Sequence, residues 1–232
     1  MSNKISVLTC YDYSFAKAVD GLLDYVLVGD SVDMVVYGKK TTAETEFKKI
    51  YYHTQAVARG LGLESKTKLI ADLPKTALIN QKTLFNSAKN LVKAGAQYLK
   101  IENNPELIQK LSTRGYKVFG HIGYTPQTDL KPAKKGLNPA EKQELTNQAF
   151  QIQEAGAVGI FLELVESQLA KTVTEKLKIP TIGIGSGKET SGQVLVIYDL
   201  LGLYPDFKPG FVKSQDDFQG RIKLAVEKFL DN

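Results

Sequence analysis

Short apolar strands that end on polar residues recur along this chain, and they alternate with segments of helical periodicity. The stretch 25–38 is the clearest example, because its apolar run 26–28 stops at Gly29, Asp30 and Ser31. An acid and a hydroxyl placed directly after a glycine suit a rim where the backbone turns, rather than a core. Later apolar runs stop in the same way, at Asp72, at Lys100 with Glu102, at His121, at Glu163 and at Ser186.

The hydrophobic periodicity predicts about eight strands with helices between them. The strands are expected at 5–9, 26–28, 68–73, 98–102, 117–121, 159–164, 181–184 and 194–197. The helices are expected at about 11–19, 46–61, 84–92, 105–111, 141–155, 167–177 and 216–230. Asp12 or Ser14 would cap the first helix, and the proline-rich segment 125–138, followed by Pro139, is predicted to be a loop.

This alternation predicts parallel strands joined by right-handed crossovers. We expect an α/β fold, a closed (β/α)8 TIM barrel that occupies residues 1–232 as a single domain, because such barrels typically need about 250 residues. A doubly wound open sheet is the alternative. The barrel is favoured because polar residues follow many strands, and a barrel brings all carboxyl strand ends to one mouth.

Composition excludes several classes of protein. Hydrophobic residues make up 43% of the chain and charged residues 24%, as in ordinary globular proteins. The net charge of +5 is mild and the lysines are scattered, apart from a cluster at Lys131, Lys134 and Lys135, so we expect no nucleic-acid partner. No apolar run approaches the roughly 20 residues of a membrane span, and the N-terminus lacks the features of a signal peptide. We therefore expect a cytoplasmic protein without membrane contact. The lone Cys10 excludes an internal disulfide.

Two acids at strand ends point to a metal site. Asp30 and Asp72 each follow an apolar strand, and no His or Cys lies near them in sequence. Carboxylates with water and substrate oxygens are the ligands that Mg²⁺ prefers. The alternative for each aspartate is an N-cap or turn residue. Because several other strands also end on polar residues, we favour the magnesium site.

Further polar residues are expected at the same mouth. Lys100 and Glu102 are two apart on one strand, so they share a face, either the lumen or the helix layer. Glu163 lies between leucines, where burial would raise its pKa toward that of a general base, unless it forms a structural ion pair with Lys100. His121 is either catalytic or a hydrogen-bonded structural residue, whereas His53 is interpreted as a packing residue.

From these residues alone we expect a magnesium-dependent barrel enzyme acting on a small keto acid or a phosphorylated acid. Proton removal next to a carbonyl is the natural reaction for a carboxylate base beside such a metal. The run GIGSG at 183–187 is not a dinucleotide fingerprint, and as a phosphate site it is a weak signal.

Eight segments, in family order over most of the chain, resemble ketopantoate hydroxymethyltransferases. They are LTCYDYSFAKAVD (8–20), LVGDSVDMVVYG (27–38), YHTQAVARG (52–60), ADLP (71–74), AGAQYLKIE (94–102), GHIGYTPQ (120–127), EAGAVGIFLELV (154–165) and IPTIGIGSG with GQVLVIYDLLG (179–202). The resemblance implies a barrel of the phosphoenolpyruvate/pyruvate superfamily type. It also implies hydroxymethyl transfer from 5,10-methylenetetrahydrofolate to 2-oxoisovalerate (3-methyl-2-oxobutanoate), the first step toward pantothenate.

The resemblance also implies roles for individual residues. Asp30 and Asp72 would hold one Mg²⁺ per subunit together with the substrate, and Glu102 would support the metal through water. Ser31 and Lys100 would contact the substrate.

Two catalytic roles and an assembly follow from the same resemblance. Glu163 would take the C3 proton, and His121 would lie near the reacting centre. Family members form ring-like homo-oligomers, often decamers, so we expect a homo-oligomer.

The chain departs from the family pattern at several positions. These are Asp33 where a small residue is usual, Lys75 after ADLP, Asn103 and Asn104 in place of glycines, and a short, lysine-rich loop at 129–137. The changes bear on rate, folate affinity and closure of the mouth. Two alternatives remain open: another magnesium-dependent keto-acid lyase or mutase of the same superfamily, and a catalytically weakened paralogue.

Overall fold

Eight parallel strands close into a barrel in the computed structural model, which describes residues 4–129 and 131–231. The strands follow chain order around the barrel, and the eighth pairs with the first. They are β1 (Ile5–Thr9), β2 (Tyr25–Val28), β3 (Lys68–Asp72), β4 (Tyr98–Glu102), β5 (Val118–Gly123), β6 (Gly159–Glu163), β7 (Thr181–Ile184) and β8 (Gly192–Leu195). The predicted barrel is confirmed, and the open sheet is excluded.

The described residues between β7 and β8 form no helix, but helices lie between the other successive strands, and two more follow β8. They are α1 (Tyr13–Val19), α2 (Val32–Val35), α3 (Phe47–Leu61), α4 (Gln81–Lys93), α5 (Pro105–Ser112), α6 (Pro139–Glu154), α7 (Ser167–Lys176), α8 (Ile197–Leu200) and α9 (Phe218–Leu230). A 3₁₀ turn at Lys75–Ala77 follows β3. The short elements α2, α8 and the 3₁₀ turn were not predicted, because a single turn leaves no periodic pattern.

Two apolar clusters separate the inside of the barrel from its outer layer. Alternate strand residues point inward and fill the lower lumen, where aromatic rings pack edge to face. The outward-facing residues, such as Val26, Leu69 and Ile160, pack in the larger cluster that includes the helices. Because the lower lumen is filled, the upper lumen is left for polar groups. The inward-facing residues are Val7, Leu27, Ile70, Phe119, Phe161, Ile182 and Val194.

Capping side chains explain where several helices begin. Asp12 caps α1, one of the two predicted caps, by accepting a hydrogen bond from the Phe15 backbone at 2.9 Å. Asn138 caps α6 in the same way, and Pro139 occupies the first helical turn. The predicted start of α6 at residue 141 is therefore wrong by two residues. Proline is tolerated there because a first-turn N–H has no partner within the helix.

Strand β8 also differs from its predicted bounds. It spans Gly192–Leu195 rather than 194–197, and Ile197 begins α8. The register against β1 sets this position, with Ile5 opposite Gly192. A Cβ on residue 192 would lie 2.5 Å from the Ile5 carbonyl oxygen, so the close approach needs glycine. Apolar content alone does not reveal such a pairing.

The last helix, α9, is confirmed as a helix but starts two residues later than predicted. None of its residues is buried, although its sequence is amphipathic. Ile222, Val226 and Phe229 are 52%, 51% and 77% exposed. An apolar face of this size is left uncovered by the described part of the chain. No described helix is both long enough and apolar enough to span a bilayer.

Candidate active site

A cavity of about 390 Å³ opens at the carboxyl ends of the strands. Glu102 is the one predicted site residue outside its lining, and it lies beside His121, 3.5 Å from the ring. Residues in the carboxyl halves of four strands, or just after a fifth, thus converge, as parallel strands in a closed barrel require. The other six predicted residues line the cavity: Asp30, Ser31, Asp72, Lys100, His121 and Glu163.

Asp72 and Lys100 form a buried ion pair on the floor of this cavity. The register of β3 and β4 places the two residues side by side. The Lys100 Nζ lies 2.6 Å from Asp72 Oδ1, and the side chains are 5% and 1% exposed. Burial opposes the charge of Lys100, but the nearby carboxylates of Asp72, Asp30 and Glu102 raise its pKa overall. Lys100 is therefore a fixed cation that faces the lumen, not the helix layer.

The predicted alternative for Glu163, a structural ion pair with Lys100, is not formed among the residues that the structure describes. Lys100 pairs with Asp72 instead. The Glu163 carboxylate approaches His121, with Glu163 Oε2 3.3 Å from His121 Nε2. In the described part of the chain, no lysine or arginine forms an ion pair with Glu163, although the Lys100 charge lowers the pKa of Glu163 and so opposes the effect of burial.

Asp30 carries a buried oxygen that is not satisfied. Its backbone N–H donates to Asp72 Oδ2 at 3.0 Å, which ties the turn after β2 to the end of β3. The Asp30 Oδ2 atom is buried and has no hydrogen-bond partner among the described residues. Burial, and then the Asp72 charge, raise the pKa of Asp30 to about 7, although Lys100 opposes the shift. A cation at this oxygen would relieve the cost of burying the charge.

Glu102, His121 and Glu163 form a row across β4, β5 and β6. His121 Nδ1 lies 3.5 Å from Glu102 Oε1, and neither ring nitrogen has a hydrogen bond of good geometry to a described residue. Burial and the Lys100 charge lower the pKa of His121 to about 3, so its imidazole is neutral at pH 7. Burial is also the main cause that raises the pKa of Glu102 to about 9 and that of Glu163 to about 8.

Ser31 is held by a chain of side chains that prediction missed. Its hydroxyl lies 2.7 Å from the Tyr11 hydroxyl. His53 Nδ1 lies 2.5 Å from the Tyr11 carbonyl oxygen, and its Nε2 lies 3.1 Å from the Tyr37 hydroxyl. The ring of His53 packs edge to face against Tyr11 and Tyr37, as interpreted, and both its nitrogens also have polar partners. The position of Tyr11, two residues after the end of β1, could have indicated that it lies at the mouth of the barrel.

Ser186, in the glycine-rich run after β7, has a structural role. Its hydroxyl donates to the Leu162 carbonyl oxygen at 2.7 Å and accepts from the Val165 backbone at 2.9 Å. It is buried and does not line the cavity. Ser186 therefore joins the end of β7 to the end of β6.

Several departures from the family pattern have local explanations. Asn103 adopts a left-handed backbone with φ of 31°, which asparagine tolerates better than most residues. Asn104 caps α5 by accepting from the Leu107 backbone at 3.1 Å. Lys75 begins the 3₁₀ turn and is exposed. These three positions do not line the cavity.

In the loop at 129–137, Lys135 and Gly136 contact neighbouring segments of the fold. Residue 130 lies outside the described residues. Lys135 forms an isolated bridge with Val165 after β6. Its side chain lies 3.0 Å from Asp129 Oδ2, and the Gly136 backbone donates to Glu141. Pro132 from this loop lines the cavity. The segment is thus part of the wall of the site.

The donor set fits a hard cation that is shared with a substrate. Asp30 Oδ2 and Glu102 Oε1 are buried acceptors without partners among the described residues. Within residues 4–129 and 131–231, no three His, Cys, Asp or Glu side chains form a metal cluster by themselves. Mg²⁺ is commonly held by one or two carboxylates, with water and substrate oxygens completing the shell. The geometry is suited to proton removal by a raised-pKa carboxylate beside a fixed positive charge.

Comparison with known sequences gives consistent matches along almost the whole chain. The family model described as ketopantoate hydroxymethyltransferase matches residues 1–232. The 3-methyl-2-oxobutanoate hydroxymethyltransferase of Legionella pneumophila is 46% identical, over 97% of this chain and 90% of its own length. The enzymes of that name from Bdellovibrio bacteriovorus and Thermus thermophilus are 42% and 41% identical, each over 97% of this chain and 88% of their own.

Solved structures with similar folds have distant sequences. A 2,3-dimethylmalate lyase of the PEP mutase/isocitrate lyase superfamily superimposes with a TM-score of 0.68 at 14% identity, covering 100% of this chain and 84% of its own. A phosphonopyruvate hydrolase, solved with oxalate and Mg²⁺, gives 0.65 at 12% identity, covering 98% and 80%. At such identities the likeness concerns the fold alone, which is an eight-stranded barrel as predicted.

Proposed function

Because the chain belongs to the ketopantoate hydroxymethyltransferase family, we propose that it transfers a hydroxymethyl group from 5,10-methylenetetrahydrofolate to 3-methyl-2-oxobutanoate. The product is ketopantoate, and the reaction is the first step of pantothenate biosynthesis. The observation that carries the proposal is Glu163. Its carboxylate lines the cavity with a pKa raised by burial to about 8, and no described lysine or arginine forms an ion pair with it.

The keto acid is proposed to bind on the floor of the cavity. Lys100 presents a fixed positive charge, and Ser31 presents a hydroxyl that Tyr11 orients. A carboxylate and an adjacent keto oxygen match this pairing of a cation with a neutral donor. Asp30, together with Asp72 in addition to its contacts with Lys100 and the Asp30 backbone, would hold a divalent cation, with Glu102 contributing through water.

Mg²⁺, when bound by Asp30 and Asp72, would supply Lewis-acid polarisation of the keto group. The superfamily neighbour solved with oxalate and Mg²⁺ is consistent with this choice of metal. The unpartnered Asp30 oxygen supports it independently.

Glu163 is proposed to remove the C3 proton of the keto acid, and the electron pair of that C–H bond forms the enolate. C3 then bonds to the one-carbon unit, whose two bonds to folate nitrogens break, while water supplies the hydroxyl oxygen. The C3 proton and the two water protons go to the two nitrogens and the new hydroxyl. A carboxylate of raised pKa is matched to removal of a weakly acidic proton near neutral pH.

His121 is proposed to act as a neutral neighbour of the base. Its Nε2 lies 3.3 Å from Glu163 Oε2 and its Nδ1 faces Glu102. A neutral imidazole can donate to one carboxylate only, so the tautomer decides which acid it stabilises. His121 therefore positions Glu163 and lines the reacting centre.

Assembly, domain organisation and location complete the proposal. The chain is proposed to form one barrel domain and to be a cytoplasmic homo-oligomer, a decamer by family resemblance. The exposed apolar face of α9 supports association, because such a face on a lone protomer would contact water. No observation favours the lyase or mutase alternative.

The lone Cys10 has no role in the proposed reaction. It is buried directly after β1 and does not line the cavity.

The test is proton NMR of 3-methyl-2-oxobutanoate in D2O with the protein and Mg²⁺. We expect Mg²⁺-dependent loss of the C3 proton signal, and ketopantoate on adding tetrahydrofolate with formaldehyde. Glu163→Gln should slow the exchange by about 10²- to 10⁴-fold, as expected for a lost general base. Glu144→Gln, an exposed change on α6, is the matched control. Exchange at the native rate in Glu163→Gln would remove Glu163 from this role.

A further inference from the structure

The upper part of the cavity has a chemistry that differs from its floor. Three aromatic side chains from the segment after α8 line it: Tyr204, Phe207 and Phe211. Asp199 of α8 lines the same region. The reaction proposed above uses none of these four residues.

Asp199 is an acid whose charge no described side chain neutralises. The hydrogen bonds of Asp199 involve its backbone atoms, for example its carbonyl oxygen, which accepts from the Ser214 hydroxyl. Burial alone raises the pKa of Asp199 to about 6. Burial chiefly raises the pKa of Tyr11, and the charges of Asp30 and then Asp199 add to that shift. The Asp199 carboxylate is therefore near Tyr11, which contacts Ser31 on the floor.

Backbone contacts fix this wall in place. The Ser214 hydroxyl donates to the Asp199 carbonyl oxygen at 2.8 Å, and the Gln215 backbone donates to that of Leu200 at 2.7 Å. Phe211 packs over the end of β7, where a Cβ on Gly185 would lie 2.9 Å from its ring. A preformed apolar wall with one convergent acid is typical of a site for a flat ligand.

We propose that Asp199 binds the 2-amino and N3–H edge of the pterin ring of the folate co-substrate, with Tyr204, Phe207 and Phe211 against the faces of that ring. This inference rests on the proposed function, which requires the folate in this cavity. A 2-amino-4-oxopyrimidine edge presents two parallel N–H donors, and a carboxylate accepts two such bonds side by side. Aromatic side chains stack on heterocycles of this kind.

The position of Asp199 agrees with the transfer step. Asp199 lines the same cavity as Lys100 and Glu163, so a ring bound at Asp199 would share that cavity with the keto acid on the floor. Asp30 is less suited to the pterin, because it faces Lys100 and Asp72. The two acids thus divide the cavity between the two substrates.

The experiment compares two ring compounds at pH 7, where Asp199 is mostly ionised. Pterin carries the 2-amino group, and lumazine has an oxygen in its place that would face the carboxylate. We expect the wild-type protein to bind pterin at least about 10-fold more tightly in a fluorescence titration, because hydrogen bonds to charged groups are strong. Equal affinities in the wild-type protein would overturn the proposal, and this arm needs no variant.

Two matched variants test whether the preference for pterin over lumazine depends on Asp199. Asp199→Asn should reduce the pterin preference to less than about threefold, because the charged acceptor is lost. Asp206→Asn, an exposed acid in the same segment, should retain it. A preference that survives Asp199→Asn, or one that disappears in folded Asp206→Asn, would contradict the assignment. Circular dichroism of each variant checks that it is folded.

Proton exchange of the keto acid, measured in the wild-type protein, separates this proposal from the function on which it rests. Exchange without any pterin preference would leave the enolisation reaction intact and overturn the role of Asp199. A pterin preference without exchange would support the pterin site and overturn the proposed reaction.

Discussion

Asp30 and Asp33 lie on the same turn after β2 and are both buried, yet their surroundings are opposite. The Asp33 backbone donates to the Asp30 carbonyl oxygen at 3.0 Å. Asp33 is fully buried, and its carboxylate contacts Lys49 at 2.5 Å, Lys39 at 3.3 Å and the Thr45 hydroxyl at 3.2 Å. Asp30 has a buried oxygen without a partner among the described residues, and burial raises its pKa to about 7.

The difference shows how to separate a structural acid from a functional one. Both side chains lose their water, which is costly for a charge. At Asp33 two cations and a hydroxyl from the same chain replace that water. At Asp30 the replacement is incomplete, so a ligand has to supply it. An unsatisfied buried acid that faces a cavity is therefore the stronger indication of function.

Asp33 also explains one departure from the family pattern. Its ion pairs join α2 to the segment before α3 and to α3 itself. Lys40, Thr41 and Thr42 of that segment line the cavity. A small residue at position 33 could not make these contacts. Asp33 therefore stabilises the wall of the cavity rather than contacting a ligand.

Replacing Asp30 should have the largest effect. In Asp30→Asn we expect the rate of C3 proton exchange to fall by about 10³-fold, because a metal ligand that is worth several kcal/mol is lost. The thermal midpoint without Mg²⁺ should stay the same or rise, since an unpaired buried charge is removed. Exchange assays and calorimetry check both. A large loss of stability would place Asp30 in the same class as Asp33.

Replacing Asp33 should reverse this pattern. We expect Asp33→Asn to lower the free energy of unfolding by about 2–3 kcal/mol, because Lys49 loses its partner in a mostly buried position. This value lies below that for a fully buried pair, since Lys39 is 38% exposed. Exchange by the folded variant should fall less than about 10-fold, because Asp33 does not line the cavity. Urea denaturation provides the measurement, and Asp206→Asn is the exposed control. An unchanged stability would contradict the structural role.

The pH dependence of stability should follow the acids of the cavity. The folded pKa values of Asp30, Glu163 and Glu102 are raised to about 7, 8 and 9. Groups with raised folded values stabilise the protein fully below about pH 4, and this contribution is lost as the pH rises from there through the folded values. Without metal we expect the free energy of unfolding to fall by about 1.4 kcal/mol per pH unit for each net proton released on unfolding. Urea denaturation between pH 5 and pH 9 measures it.

Added Mg²⁺ gives the matching test of that pH dependence. Because a cation binds the ionised carboxylates, Mg²⁺ should raise the melting temperature more at pH 8 than at pH 5. Asp30→Asn should reduce this difference, and Asp33→Asn should retain it. Equal stabilisation at both pH values would argue against a carboxylate metal site.

The smallest expected effect concerns the two lysines around Asp33. Lys39→Met should lower the free energy of unfolding by less than about 1 kcal/mol, because an exposed pair is screened by water. Lys49→Met should cost more, since Lys49 is 17% exposed and also lies 4.3 Å from the centre of the Tyr37 ring. Chemical denaturation of both variants gives the order. The reverse order would mean that Lys39 is the main partner of Asp33.

Much of the architecture is predictable from the sequence alone. The strands β1, β4 and β7 have the predicted bounds, because short apolar runs bounded by turn residues specify strands. The residues predicted for the site come together because each lies in the carboxyl half of a strand or just after it, and a barrel brings those strand ends to one mouth. By contrast, the partners of Asp33, Tyr11 and His53 come from distant parts of the chain and leave no periodic signal.

The barrel, the order of its strands and the ring of polar residues at its mouth are encoded locally, in hydrophobic periodicity and turn chemistry. The neutralisation of individual charges is not encoded in that way. Asp72 forms an ion pair with Lys100 and two lysines form ion pairs with Asp33, whereas no described side chain forms an ion pair with Asp30 or Asp199. Ion pairing depends on distances of a few ångströms between residues far apart in sequence, and such distances exist only once the barrel has closed.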